Sequence, residues 1–333
     1  MTTIPLIDIS KARLGNLTDK QAVAKQMDQA SRDIGFFIIS GHGIDDVFFE
    51  QAYADSARFF ALPLALKNAC RTDIIPCSHQ HNGYASLLEE NSHAYMGRPN
   101  LPGDLVEKFS MGKSILDDTL TLPFPTEQQT NHFRQSMKNY FHQCFLLSDL
   151  LSQLFSLAVG LPADFFADKI DQSFDFLRFH SYPGSADISA DMPSSDHGIS
   201  EHTDGTLFSI VADNNPGLEV KTRQGQWIRV ETIQPNQLVV NIGDTMMRWS
   251  NDEWISTTHR VALSQHARQS LVFFKNANED ALIDAFEQFC RDRPAKYPPI
   301  INADWMNQTV KALYQGKKQG KKQGKGQIKK EAV

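Results

Sequence analysis

The sequence predicts a mainly β fold with flanking helices, and three observations carry that expectation. From about residue 174 to 275, short runs rich in β-branched and aromatic residues recur at brief intervals. Turn-forming clusters separate them, at Asn214-Asn215-Pro216-Gly217, Arg223-Gln224-Gly225 and Asn241-Ile242-Gly243-Asp244. Many short strands with regular turn signals indicate an antiparallel sandwich or barrel. Upstream, apolar residues return at three- and four-residue steps, as in helices laid against a core. No linker-like stretch divides the chain, so the helices should flank one β core.

In order, Ile4–Ile9 reads as a short edge strand after a proline, and residues 19–33 as a helix carrying Ala22, Ala24, Met27 and Ala30. Ile34–Ile39 is a buried strand ended by Gly41-His42-Gly43. A second helix covers 45–61. Residues 70–125 read as irregular, rich in Gly, Pro, Asn and His. The strongest helical pattern runs over 127–159 through Phe133, Met137, Phe141, Phe145, Leu147, Leu151, Leu154 and Ala158; Pro162–Asp168 starts another short helix. Strands are then expected at Phe176–Tyr182, Gly217–Lys221, Trp227–Val230, Gln237–Ile242, Met246–Trp249, Thr257–Leu263 and Ser270–Phe274. Residues 279–293 are expected to be helical, with a final short helix after Pro298-Pro299.

Composition narrows the class. The 333 residues carry a formal charge of −6, yet residues 316–333 hold seven Lys and one Glu, leaving the remainder at −12. This Gly-Lys-Lys-Gln tail has almost nothing apolar to bury and is expected to be disordered. An acidic body argues against nucleic acid as substrate. Cys70, Cys77, Cys144 and Cys290 show no metal-type spacing and point to a reducing compartment. No apolar run approaches the roughly 20 residues of a membrane span, and Met1–Pro5 lacks the regions of a signal peptide. Cytoplasm is the expected location.

The chemistry concentrates between Gly198 and Ser270. His202 and Asp204 stand two apart beside the strand-like Leu207–Val211; on a strand such residues point to one face. His259, in Ser256–Val261, supplies a third group. Two His and one carboxylate on one side of a metal suit non-haem Fe(II) oxygenases. His-x-Asp alone is a weak signal among 11 His and 39 acidic residues. Arg268 and Ser270 strengthen it, because they share a face, and an Arg fork with a hydroxyl suits a carboxylate. His197, in a loop-like context outside the His-x-Asp frame, is the weaker metal candidate.

With these motifs the chain resembles the 2-oxoglutarate/Fe(II)-dependent dioxygenase superfamily, in its isopenicillin N synthase-like branch. The resemblance rests on His202-Thr203-Asp204, Pro216–Val220, Asn241–Asp244, Ser256–Val261, Arg268-Gln269-Ser270 and the 55-residue step from Asp204 to His259. It covers most of residues 4–300. It implies a double-stranded β-helix (jelly roll) core at about 174–275 inside one dioxygenase domain, 1–315. An N-terminal part would occupy about 1–170 and C-terminal helices 279–315.

The resemblance further implies Fe(II) held by His202, Asp204 and His259, with 2-oxoglutarate and O2 as cosubstrates. Arg268, Ser270 and Tyr182 would hold the distal carboxylate, beside His180 where plant members carry Asn. The reaction would release succinate and CO2 and oxidise a C–H bond of a small molecule by hydroxylation, desaturation or ring closure. No catalytic acid or base is nominated. Arg178, Tyr84 and Phe274 are candidate substrate residues, suited to a small organic acid or amino-acid-like metabolite. Asn82-Gly83-Tyr84 stands where the family has Arg-Gly-Tyr. A 2-oxoglutarate-independent oxidase of the isopenicillin N synthase type, and a non-catalytic jelly-roll binding protein, remain as alternatives.

Overall fold

The computed structural model describes residues 3–71, 83–113, 124–130, 132–188, 197–232, 234 and 236–314. The Lys-rich tail, Cys77, His79, His81 and Asn82 lie outside them. Among the described residues, twelve strands form two facing sheets. They are β1 (Leu6–Asp8), β2 (Phe36–Ser40), β3 (Gly83–Ala85), β4 (Glu107–Gly112), β5 (Phe176–Tyr182), β6 (His197–His202), β7 (Phe208–Asp213), β8 (Leu218–Lys221), β9 (Trp227–Arg229), β10 (Leu238–Ile242), β11 (His259–Ala262) and β12 (Arg268–Lys275). The large sheet has the order β1-β2-β10-β7-β12-β5-β4-β3, the small one β6-β11-β8-β9. This is a jelly-roll core with flanking helices.

Strand alternation divides the large sheet into two chemically distinct faces. Leu177, Phe179, Leu271 and Phe273 point outward into a core built with Met137, Tyr140, Phe141 and Phe155 of the long helix Phe133–Ala158. Phe36, Ile38 and Val239 point inward and pack on Leu218, Val220 and Val230 of the small sheet. The inner residues of β5 and β12 are largely polar instead: Arg178, His180 and Tyr182 lie beside Val272, Ser270 and Arg268 in register. Burial on both faces explains why β2 and β10 read as nearly continuous apolar runs. It also means that the polar residues facing inward have a function other than solvation.

The expected elements are present at 17–33, 46–60 and 133–158, the first capped by the Asn16 side chain on the Asp19 amide. The long helix begins after His132, whose φ of 64° interrupts the 127–159 pattern. Ala167–Ile170 is the helical part of the segment after Pro162. Four expectations are corrected. Met246–Trp249 belongs to a helix, Asp244–Trp249, started by Gly243; a four-residue apolar run cannot separate strand from helix by periodicity. Residues 279–293 form no α-helix: Leu282–Ile283 pairs with Ile300–Ile301, and Glu287–Phe289 is one 3-10 turn. Asn302 ties this segment down through the carbonyls of Ala277 and Asn278.

Residues 70–125 contain β3 and β4. Strand β4 was hidden because its Glu107 and Lys108 are absorbed into ion pairs with Lys67 and Glu90 rather than exposed. His197 opens β6 instead of lying in a loop, where it pairs with Ala262. No helix among the described residues is long and apolar enough to cross a membrane. Cys70, Cys144 and Cys290 are free thiols.

Candidate active site

His202 ends β6 and His259 begins β11, and the antiparallel register sets them directly opposite each other. Their ring centroids lie 4.2 Å apart. Asp204 is not on the strand: β6 stops at His202, and the carboxylate comes from the turn that follows. Backbone bonds from Asp244 N to Asp204 O (2.7 Å) and from Gly243 N to Leu207 O (2.9 Å) hold that turn.

Each group is oriented by its far side. His202 Nδ1 lies 2.8 Å from the Ser200 carbonyl, and His259 Nδ1 3.0 Å from that of Thr257. A carbonyl only accepts, so both protons sit on Nδ1 and both Nε2 lone pairs are free. Asp204 Oδ2 accepts from Ser209 Oγ (2.6 Å) and Asn241 Nδ2 (2.8 Å). Its Oδ1 faces the two Nε2 atoms at 3.7 Å each. Among the described residues these three form a cluster whose ligand atoms all lie within 4.8 Å of one another.

The electrostatics agree with this orientation. Burial and the neighbouring His259 hold His202 down to about 4, so it stays neutral with its lone pair available. Burial pushes the Asp204 carboxyl up, but the two imidazoles and the hydrogen bonds from Ser209 and Asn241 outweigh it and hold it below the usual range. Two imidazoles and a carboxylate, open on one side, form a donor set that fits Fe(II).

One cavity runs from this triad to the inner face of β12, bordered by His180, Tyr182, Arg268 and Ser270. Arg268 is buried, with Nε on the Asn215 carbonyl and Nη2 on Asp213 Oδ2, both at 3.2 Å. Its Nη1 is buried without a protein partner, and its guanidinium stacks 4.6 Å over the Tyr182 ring. A buried guanidinium nitrogen with nothing to bond is costly, and an anion in the cavity would satisfy it. Tyr182 Oη and Ser270 Oγ lie 3.2 Å apart, adding two hydroxyls at the same point.

A second cavity adjoins the first through His180, His202, Asp204 and Phe274. Phe176 and Phe274, paired across the strands, stack at 4.5 Å and 18°. Arg178 lies against both rings, its Nη1 3.1 Å from Glu90 Oε2, which Lys108 Nζ also approaches at 2.7 Å. Opposite stand Met306, Thr309, Val310 and Leu313 of the helix Asn302–Tyr314. That helix is fastened by Trp305 Nε1, which donates to the Gly205 carbonyl at 2.8 Å. Thr309 sits where a Gly205 side chain would go, 3.1 Å from the nearest atom.

The structure thus brings together His202, Asp204, His259, Arg268, Ser270, Tyr182, His180, Arg178 and Phe274. Arg178 is a buried partner of Glu90, not a surface charge. Tyr84 is elsewhere: its ring packs against Phe59 in the outer core and its hydroxyl donates to Glu107. His197 lies away from the triad, and His42 bonds the Asn236 carbonyl and the Ile44 amide, as a structural histidine does. Glu90, Lys108, Phe176 and the roof residues were missed. Phe176 shares the Arg178 face of β5, a signal that was present; Glu90 and Lys108 left none.

Fold and site define a jelly-roll metalloenzyme of the non-haem type. Residues 4–135 match the family described as "non-haem dioxygenase in morphine synthesis N-terminal", and 173–277 match the 2OG-Fe(II) oxygenase superfamily. The 2-oxoglutarate-Fe(II) type oxidoreductase ppzC of Metarhizium majus is 30% identical over 93% of this chain and 87% of its own. Homoarginine-6-hydroxylase 2-ODD-233 of Oryza sativa subsp. japonica is 30% identical over 92% and 96%. A crystal structure of a full-length Neurospora crassa protein in complex with alpha-KG and thymine superposes with a TM-score of 0.81 at 28% identity, covering 93% of this chain and 97% of that one. The chain belongs to the 2-oxoglutarate/Fe(II)-dependent oxygenase superfamily. It is a 2-oxoglutarate-dependent dioxygenase using Fe(II) and O2, and the two alternative readings are not favoured.

Proposed function

We propose that residues 1–315 work as one oxygenase domain that oxidises an unactivated C–H bond of a small polar metabolite carrying a carboxylate, amino-acid-like in character. In this reading His202, Asp204 and His259 hold the iron, and Arg268, Ser270 and Tyr182 receive the distal carboxylate of 2-oxoglutarate. The observation that carries it is the cavity with three ligand atoms at one end and the unpartnered Arg268 nitrogen at the other. Iron with 2-oxoglutarate supplies O2 activation coupled to release of succinate and CO2.

The chain's own residues orient and exclude. The Ser200 and Thr257 carbonyls fix both imidazole tautomers, while Ser209 and Asn241 hold one Asp204 oxygen so that the other faces the metal. Stacked Phe176 and Phe274 keep one wall apolar, and the Asn302–Tyr314 helix lines another side. Glu90 is one carboxylate against two cations, Lys108 and Arg178. The surplus positive charge favours an anionic group on the substrate. The rice relative's name, homoarginine-6-hydroxylase, supports an amino-acid substrate. Succinate release over a panel of amino acids, their derivatives and small organic acids tests this; coupling only to uncharged compounds would refute the acidic-substrate reading.

A further inference from the structure

His180 stands between the two halves of the site, bordering both the space before Arg268 and Ser270 and the space before Phe176 and Arg178. Its Nδ1 lies 3.2 Å from Ser270 Oγ and 3.4 Å from Tyr182 Oη. Its Nε2 is buried and has no protein partner. Burial, reinforced by the Lys108 and Arg178 charges, keeps the pKa well below the usual histidine value, so the ring is neutral and carries a single N–H.

The two hydroxyls decide which nitrogen bears that proton. With no anion before Arg268, Ser270 and Tyr182 have protons to place, and an unprotonated Nδ1 accepts one of them. The ring proton then sits on Nε2. A carboxylate docked at Arg268 changes the count, because hydrogen bonds to a charged acceptor are stronger than those to a neutral one. Both hydroxyl protons turn to the carboxylate, and Nδ1 then faces oxygen lone pairs. It is satisfied only as N–H, so Nε2 is left as a bare lone pair. One N–H is exchanged for the other through solvent, and the imidazole stays neutral.

The geometry points to His180 as a tautomer relay: a cosubstrate carboxylate at Arg268, Ser270 and Tyr182 converts Nε2 from donor to acceptor, so the complete site selects a substrate presenting an N–H or O–H there. Beside it Arg178 Nε is a second buried nitrogen without a protein partner, and it can only donate. A donor and an acceptor side by side match an amino acid, with its carboxylate on Arg178 and its ammonium on His180. The inference rests on the cosubstrate placement proposed above. His180 is on this account a positioning residue for the cosubstrate and a recognition residue for the substrate.

The test is nuclear magnetic resonance of 15N-histidine-labelled protein loaded with Zn(II), which is diamagnetic. Long-range 1H–15N correlations distinguish Nε2–H from Nδ1–H. The His180 signals are those missing from His180→Asn, or from His180→Gln if the first variant does not fold. The expected result is Nε2–H without 2-oxoglutarate and Nδ1–H at saturation, with binding followed calorimetrically on the same samples. Binding with no change of tautomer overturns the relay and leaves the cosubstrate placement standing. Failure of the Zn(II) protein to bind 2-oxoglutarate overturns both.

Discussion

Arg268→Lys separates a charge from a shape. The native guanidinium spends Nε on Asn215 and Nη2 on Asp213, which leaves Nη1 as the donor aimed into the cavity. A lysine places one ammonium where three nitrogens stood, and Asp213 competes for it. The variant should therefore lose about one charge-assisted hydrogen bond to the cosubstrate, roughly 1.5–3 kcal/mol. At 1.4 kcal/mol per decade, that is a rise of about 12- to 140-fold in Kd. Loss of the stacking on Tyr182 acts in the same direction. Calorimetric titration of the Zn(II) protein with 2-oxoglutarate gives the number, and circular dichroism checks the fold. A folded variant with wild-type cosubstrate affinity, or one that weakens only substrate binding, would refute the assignment of Arg268.

His202→Ala, Asp204→Ala and His259→Ala should each abolish iron retention and turnover while leaving a folded protein; metal analysis and thermal melts check this, and stoichiometric iron in any of them removes that residue from the ligand set. His197→Ala should keep its iron. Asn241→Ala removes one of the two donors that hold Asp204, a proposed ligand, and partners of this kind are worth about 10- to 100-fold in metal affinity, measurable by chelator competition. Asp175→Ala removes the buried partner of Lys275, whose ammonium lies 3.0 Å from the Asp175 carboxylate, and leaves it only the half-exposed Asp149 at 3.6 Å; urea unfolding should show a loss below the about 3–5 kcal/mol of a fully unpaired buried charge. Arg178→Ala should raise substrate KM while uncoupled 2-oxoglutarate decarboxylation persists, and an unchanged KM would take Arg178 out of the pocket.

The inner face of β12 was legible because its alternation is regular: Arg268, Ser270 and Phe274 share a side, and the structure keeps them there. His202 and His259 were legible as motif, and their adjacency follows from a strand pairing that no local pattern reveals. Asp204 stands in the triad, but not for the reason expected, since it projects from a turn and not from the strand. Tyr84 failed because its neighbours in sequence suggested a pocket edge, while its ring found the aromatic core around Phe59. Glu90 and Lys108 were invisible for a different reason. Charged residues read as surface, and only the fold shows that these two neutralise each other beneath it. The same blindness turned β4 into an apparent loop, and a short apolar run turned the Asp244–Trp249 helix into an apparent strand.

The Gly205 carbonyl receives both the Thr245 hydroxyl, at 2.9 Å, and the Trp305 indole, at 2.8 Å. The first bond belongs to the jelly roll and the second to the helix laid over it. In order of synthesis, the proposed ligands His202, Asp204 and His259 all precede Asn302–Tyr314. The triad and the helix that borders the cavity are therefore supplied by separate parts of the chain, joined at this carbonyl. The contact between helix and turn thus centres on one residue, adjacent to Asp204 and lacking a side chain, so any bulk added at Gly205 would press on Thr309 and on the wall of the cavity at once.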